Sequence, residues 1–252
     1  MDIAAFLGIL LGIGAVVGGN MVEGGNTAHL VQAAAAIIVF GGTLGATLLS
    51  FSLRDMLNAV KALGMVFGIR SSSTGEVVED ILGLLVKARK MGLIALESQV
   101  KTIENDFLRK GLNLVIDGIP PAMIKDILFQ EIYTYEDTCK KAAKVFEAAG
   151  GYAPTIGILG AVLGLIQVMR NVSEPSKIGG GIAVAFVATI YGVGSANLIF
   201  LPLSKKIINR LKEEIFIREL IVEGVLGVEA GVNPYFLKAR LNAFLAEHEK
   251  TD

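Results

Sequence analysis

The chain has 252 residues, 53% of them hydrophobic and only 19% charged, with a mean hydropathy of +0.61. A formal net charge of −1 gives no basic surplus for nucleic acid, and the single Cys139 excludes an intramolecular disulfide. His29 and His248 have no neighbours at ligand spacing, so the sequence offers neither a metal site nor a resident cofactor.

Where the charges lie is more informative than their sum. Windows 3–22, 24–53, 148–169 and 178–204 contain no Asp, Glu, Lys or Arg, and each is long enough for a helix to cross about 30 Å of hydrocarbon. The first window lacks the basic leader and small-residue cleavage site of a signal peptide, so a retained helix is expected. Thirteen of the 23 Lys and Arg fall in residues 52–150 and eight in 204–252. The positive-inside rule therefore puts both segments, and both termini, in the cytoplasm.

In chain order, residues 1–51 form a membrane hairpin, with helices over about 3–20 and 28–51 joined by "NMVEGGNTAH". Residues 52–150 form a cytoplasmic block with helical periodicity. In it, "SSSTGEVVEDILGLLVKARKMGLIALESQVKTI" opens on capping hydroxyls, and Val78, Ile81, Leu82, Leu85 and Val86 recur at three- and four-residue steps. The stretch Gly118 to Pro121 breaks the pattern, and a new helix can start at the prolines. Residues 151–204 form a second hairpin, with spans over about 152–171 and 180–203, and residues 205–252 form a cytoplasmic helical tail. The expected class is an all-α membrane protein with four transmembrane helices and a large helical domain between the second and third.

The third span, "GYAPTIGILGAVLGLIQVMR", is not built as a plain anchor. Pro154 removes a backbone hydrogen bond, which a bilayer tolerates only where protein or water re-satisfies the freed carbonyl. Gly157, Gly160 and Gly164 lie on related faces, and the fourth span answers with Ala185, Ala188, Gly192 and Ala196 beside Thr189. Small residues at this spacing let backbones approach closely. They suit packing between these two helices of one chain, or a face for another helix. Neither span holds an ionisable side chain, although ion and proton sites in membranes usually need one. The pair is mere packing, or half of a site whose carboxylate comes from elsewhere.

"APTIGILGAVLGLI" followed by "IGGGIAVAFVATIYGVGSANLIFLPLSKKI" resembles the MotA family of flagellar stator subunits, within the MotA/TolQ/ExbB proton channel group. "LVKARKMGLIALE" resembles its rotor-facing motif. The resemblance covers essentially the whole chain. It implies a ring, a pentamer in the family, around two helices of a MotB-like single-span subunit that supplies the intramembrane aspartate. It implies a bacterial inner-membrane location among lipid, and a flagellar rotor protein (FliG-like) as the cytoplasmic partner. The small face of Gly157, Gly160, Gly164, Ala185 and Ala188 would admit the partner helix, and Thr155 and Thr189 would line the ion path. Pro154 and Pro202 match prolines tied to coupling, and Arg89 and Glu97 match the rotor-contact charges. Eight residues apart, these two are expected to project from one helical face. Sodium-type relatives carry hydroxyls where this chain has Ala161 and Ala188, so the transported ion is expected to be H+.

Three other readings fit less well. TolQ- and ExbB-like subunits, which energise outer-membrane processes, share the last two spans but have three in all. A self-contained transporter should show inverted repeats around its own charged site. An enzyme should show a nucleophile–base pair or a phosphate loop, and neither is visible.

Overall fold

All four apolar windows form helices in the computed structural model, which describes residues 3–68 and 74–248. α1 runs over Ile3–Val22. The second span, Thr27–Ser50, starts with a 3-10 turn and continues as α2 (Ala33–Ala36), a π-helical turn (Ile37–Gly41) and α3 (Gly42–Ser50). α4 (Leu53–Phe67) follows at once, because the Ser52 side chain accepts from the Asp55 N–H and caps a new helix. Then come α5 (Thr74–Met91), the short α6 (Glu97–Val100) and α7 (Asp106–Ile116), the last capped by Asn105. The capping hydroxyls at 71–73 lie outside the described residues.

α7 ends as the sequence predicts. Gly118 adopts φ +70°, its N–H reaches the Val115 carbonyl, and the Ile119 N–H reaches that of Leu114. Only a residue without Cβ takes that conformation cheaply. Pro121 then opens α8, which runs unbroken to Arg170, 50 residues with Pro154 inside. Gly150 and Gly151, where the cytoplasmic block meets the third span, do not break it. α9 (Pro175–Ser195) passes through a second π-helical turn (Ala196–Phe200) into α10 (Leu201–Glu229), and α11 (Pro234–His248) closes the order. No strand occurs among the described residues.

These helices group into two units, each drawn from two stretches of chain: residues 1–69 with 138–210, and residues 70–137 with 211–252. The sequence suggested four consecutive segments. In the structure the tail beyond 210 packs with residues 70–137, because α8 and α10 each contribute to both units. The core of the second unit is made of large aliphatics, among them Ile81, Leu85, Leu112, Leu128, Ile221 and Leu237. Arg218 lies in it with its guanidinium 3.9 Å from the Tyr135 ring centroid and 5.0 Å from that of Phe107. Glu214 accepts from its Nε, so this half-buried charge is paired and stacked.

Candidate functional site

The third and fourth spans meet backbone to backbone. A Cβ built on Gly157 would lie 2.9 Å from the Ala188 carbonyl oxygen, and one on Gly164 would lie 2.7 Å from the Ala185 nitrogen. On Gly192 it would lie 2.5 Å from the Ala153 oxygen and 3.2 Å from the Pro154 Cα. Gly160 rests on the Ala188 methyl and on Ile38 of the second span. No larger side chain fits these crossings without moving a backbone.

This corrects one expectation. Gly157, Gly160, Gly164, Ala185 and Ala188 are buried against the chain's own helices, so they do not form an open face for another helix. Helix approach within the chain consumes the stripe. The face of the third span that stays open carries Thr155, Ile158, Leu159, Val162 and Ile166, with Ala161 half-buried at its edge.

Both threonines keep their hydroxyl protons at home. Thr155 Oγ1 donates to the Tyr152 carbonyl at 2.8 Å, and Thr189 Oγ1 donates to that of Ala185 at 3.2 Å. Each therefore presents oxygen lone pairs outward and can accept a hydrogen bond from a protonated acid. Thr155 is exposed and Thr189 half-buried.

The two prolines are accommodated differently. Pro154 sits within regular α8, one turn after Gly150, where an added Cβ would lie 2.7 Å from the Leu201 side chain. Pro202 follows the π-helical turn, in which the Leu201 N–H donates to Ala196, five residues back. Pro202 itself has no N–H to donate to the turn before it. Leu201 thus brings the neighbourhoods of the two prolines together.

Tyr191 has a role that the sequence reading did not assign. Its hydroxyl donates to the Leu30 carbonyl at 2.6 Å and accepts from the Gln32 N–H at 3.4 Å, and its ring stacks on Phe40. Val31 and Gln32 are extended, so backbone groups there lack helical partners. In a bilayer such groups need a protein partner, and Tyr191 supplies it. The signal in sequence was the one tyrosine of the fourth span.

Arg89 and Glu97 do not share a helix face. α5 ends at Met91, Gly92 takes φ +85°, and a 3-10 turn (Leu93–Leu96) intervenes before Glu97 opens α6. Both side chains are exposed. Arg89 donates to the Val232 carbonyl at 3.2 Å, and Glu97 pairs with Lys101 at 3.5 Å. Near α6, Glu76, Glu79, Asp80 and Glu104 line an acidic groove with Gln99 and Asn105. Partial burial, then the neighbouring Glu76 and Glu79, holds the Asp80 carboxyl above the usual carboxylate range. Among the described residues no metal-holding cluster of His, Cys, Asp or Glu occurs.

This arrangement of four apolar spans, a close-packed third and fourth span and a helical domain between second and third defines a class. Residues 99–220 match the MotA/TolQ/ExbB proton channel family, and the chain belongs to that family. Residues 6–92 match the Motility protein A N-terminal family, which covers the additional hairpin. The chain is 33% identical over 249 residues to Motility protein A of Helicobacter pylori (strain ATCC 700392 / 26695), covering 99% of this chain and 97% of that one. It is similar to the solved structure of C. jejuni MotAB, with a TM-score of 0.89 and 30% identity over 97% of this chain and 96% of that one. The flagellar MotAB stator complex from Bacillus subtilis gives a TM-score of 0.85 and 31% identity, over 95% and 94% of the two chains.

Proposed function

We propose that this chain is the membrane subunit of a flagellar motor stator and supplies half of an ion channel. The observation that carries the reading is an absence within a proton channel family. Residues 148–169 and 178–204 contain no Asp, Glu, Lys, Arg or His. A MotB-like partner with one intramembrane aspartate completes the site, held within a ring of copies of this chain, five in the family. Both termini and the domain between the second and third spans face the cytoplasm of the inner membrane, a reading that the distribution of Lys and Arg supports.

The partner helix lies against the open face of the third span rather than the buried glycine stripe. A carboxylate there costs about 2.5–3.5 kcal/mol on insertion scales, so it protonates readily. Thr155 and Thr189, their protons engaged within their own helices, accept from the protonated acid and favour its neutral state. A membrane potential supplies about 2.3 kcal/mol per charge per 100 mV, comparable to that cost, so potential can drive proton release. Shape change at Pro154 and Pro202 passes to the cytoplasmic unit, where Arg89 and Glu97 meet charges on the rotor.

The ion is H+. With alanines at 161 and 188, the third and fourth spans lack two hydroxyls that could coordinate sodium. Swimming speed of cells that depend on this chain, in sodium-free medium, tests the assignment. Speed should persist without sodium and collapse with a protonophore. Thr189→Val, close in shape, should slow swimming while the stator still assembles. A sodium requirement overturns the choice of ion, and full speed in Thr189→Val removes that hydroxyl from the path.

A further inference from the structure

Pro154 stands between two kinds of attachment in α8. After it, Gly157 and Gly164 lie against the backbone of the fourth span. Before it, α8 is held to α4: Ala142, Ala143 and Val145 share a buried cluster with Ala59, Ala62 and Val66, and Cys139 Sγ lies 3.9 Å from Met65 Sδ. Between that cluster and the proline, Tyr152 reaches the second span, and its hydroxyl lies 2.8 Å from Ser50 Oγ.

Proton count fixes the direction of this hydrogen bond. Ser50 has one hydroxyl proton and donates it to the Ala46 carbonyl at 2.9 Å. Tyr152 is therefore the donor and Ser50 the acceptor. The Tyr152 backbone is engaged as well, since its carbonyl accepts from Thr155 Oγ1. Ser50 ends the second span, Phe51 is extended and packs on the buried cluster, and Ser52 caps α4. The bond thus lies at the corner where the second span, α4 and α8 meet, two residues before Pro154. A tyrosine that only anchors a helix at a membrane surface needs no particular partner. This one gives its proton to a side chain that a backbone carbonyl already fixes.

We propose that Tyr152 is a positioning residue for coupling: through Ser50 it ties the stretch of α8 before Pro154 to the end of the second span. Bending at Pro154 is then shared by α8, α4 and the second span rather than absorbed in α8 alone. This role rests on the proposed reading of the chain as a stator subunit with a coupling proline. Ion passage itself does not need the tie. Thr155 Oγ1 is held by the Tyr152 carbonyl, which is present whatever the side chain carries.

The test sets proton flux against swimming speed, using the full chain with its MotB-like partner. Tyr152→Phe keeps the ring and the carbonyl and removes only the donor. Proton flux into liposomes under an imposed potential should match the parent. Swimming should slow about two- to fivefold, the upper figure being the equilibrium weight of one ordinary hydrogen bond. Ser50→Ala should slow swimming as much, and the double variant no more than either single one, because the same bond is lost in each. Ser50→Thr keeps a hydroxyl and should swim at parent speed. Four results each overturn the proposal: parent speed in Tyr152→Phe or Ser50→Ala, flux lost together with speed, additive losses in the double variant, or slow swimming in Ser50→Thr. Reading flux and speed separately keeps two failures apart. A parent complex without flux overturns the stator reading and this role with it, whereas a conducting Tyr152→Phe at parent speed overturns this role alone.

Discussion

The two units are packed by different rules. Within the spans of the first unit, buried positions are mostly small: Ala35, Ala153, Ala185, Ala188 and Ala196, with Gly157, Gly164 and Gly192 at the crossings. In the other unit they are Ile81, Leu85, Leu108, Leu112, Leu128 and Leu220. Water rewards burial of large apolar side chains, at about 25 cal/mol per Å2. Lipid offers no such reward, since its tails are as apolar as leucine, so helices associate through close backbone contact instead. Large aliphatics such as Leu10, Leu11, Leu49 and Met169 therefore face outward in the span unit. The same side chains that make one core would spoil the other.

The largest expected effect on function tests the crossing itself. Gly192→Ala puts a methyl 2.5 Å from the Ala153 oxygen, and both backbones would have to move. Overpacking of this kind costs about 1–3 kcal/mol, occasionally more. The variant should therefore melt well below the parent in detergent and fail to support swimming. Gly194→Ala, two residues on, meets nothing within 4 Å and should melt at or slightly above the parent temperature. Equal melting of the two variants would show that backbone proximity does not hold the spans together.

A comparable loss should follow from the opposite change in the other unit. Leu85 is completely buried, and Leu85→Ala should cost about 2–5 kcal/mol through lost transfer energy and the cavity left behind. Limited proteolysis should then cut within residues 74–137 at low denaturant, while carbonate extraction still finds the chain in the membrane. Retained protease resistance would mean that this core is not the source of the unit's stability.

The smallest effect concerns Asp80. Its folded carboxyl is raised above the unfolded value, first by burial and then by Glu76 and Glu79. The folded state therefore holds the proton more tightly, and ionisation near neutral pH costs stability that is recovered as pH falls through the raised value. Asp80→Asn should be slightly stabilising at neutral pH, and the difference should vanish below the ordinary carboxylate range. Melting curves at several pH values check this. A variant less stable than the parent at neutral pH would contradict the sign.

The sequence made the spans legible because charge exclusion over twenty residues is a coarse signal that packing cannot disguise. Gly118 and Pro121 likewise announced a helix boundary, since each has one physical reason to sit there. The pairing of the tail with residues 70–137 was not legible, because amphipathic periodicity says that a face is buried and not against what. Arg89 and Glu97 looked like one helical face until Gly92 intervened; a lone glycine in a helical pattern does not announce a positive φ. The glycine stripe was given to a partner helix on the family resemblance, and only distances settle whether a chain's own helix or another fills it. The π-helical turns left no pattern beyond Pro202 after one of them.

The central claim is that this chain holds half of an ion site. Proton flux into liposomes under an imposed potential, with the ring alone and with its MotB-like partner added, tests it most directly. The account predicts no flux above empty liposomes for the ring alone, flux once the partner is present, and none when the partner's intramembrane aspartate is asparagine. Conduction by the ring alone would contradict it, since residues 148–169 and 178–204 contain no Asp, Glu, Lys, Arg or His to carry the proton.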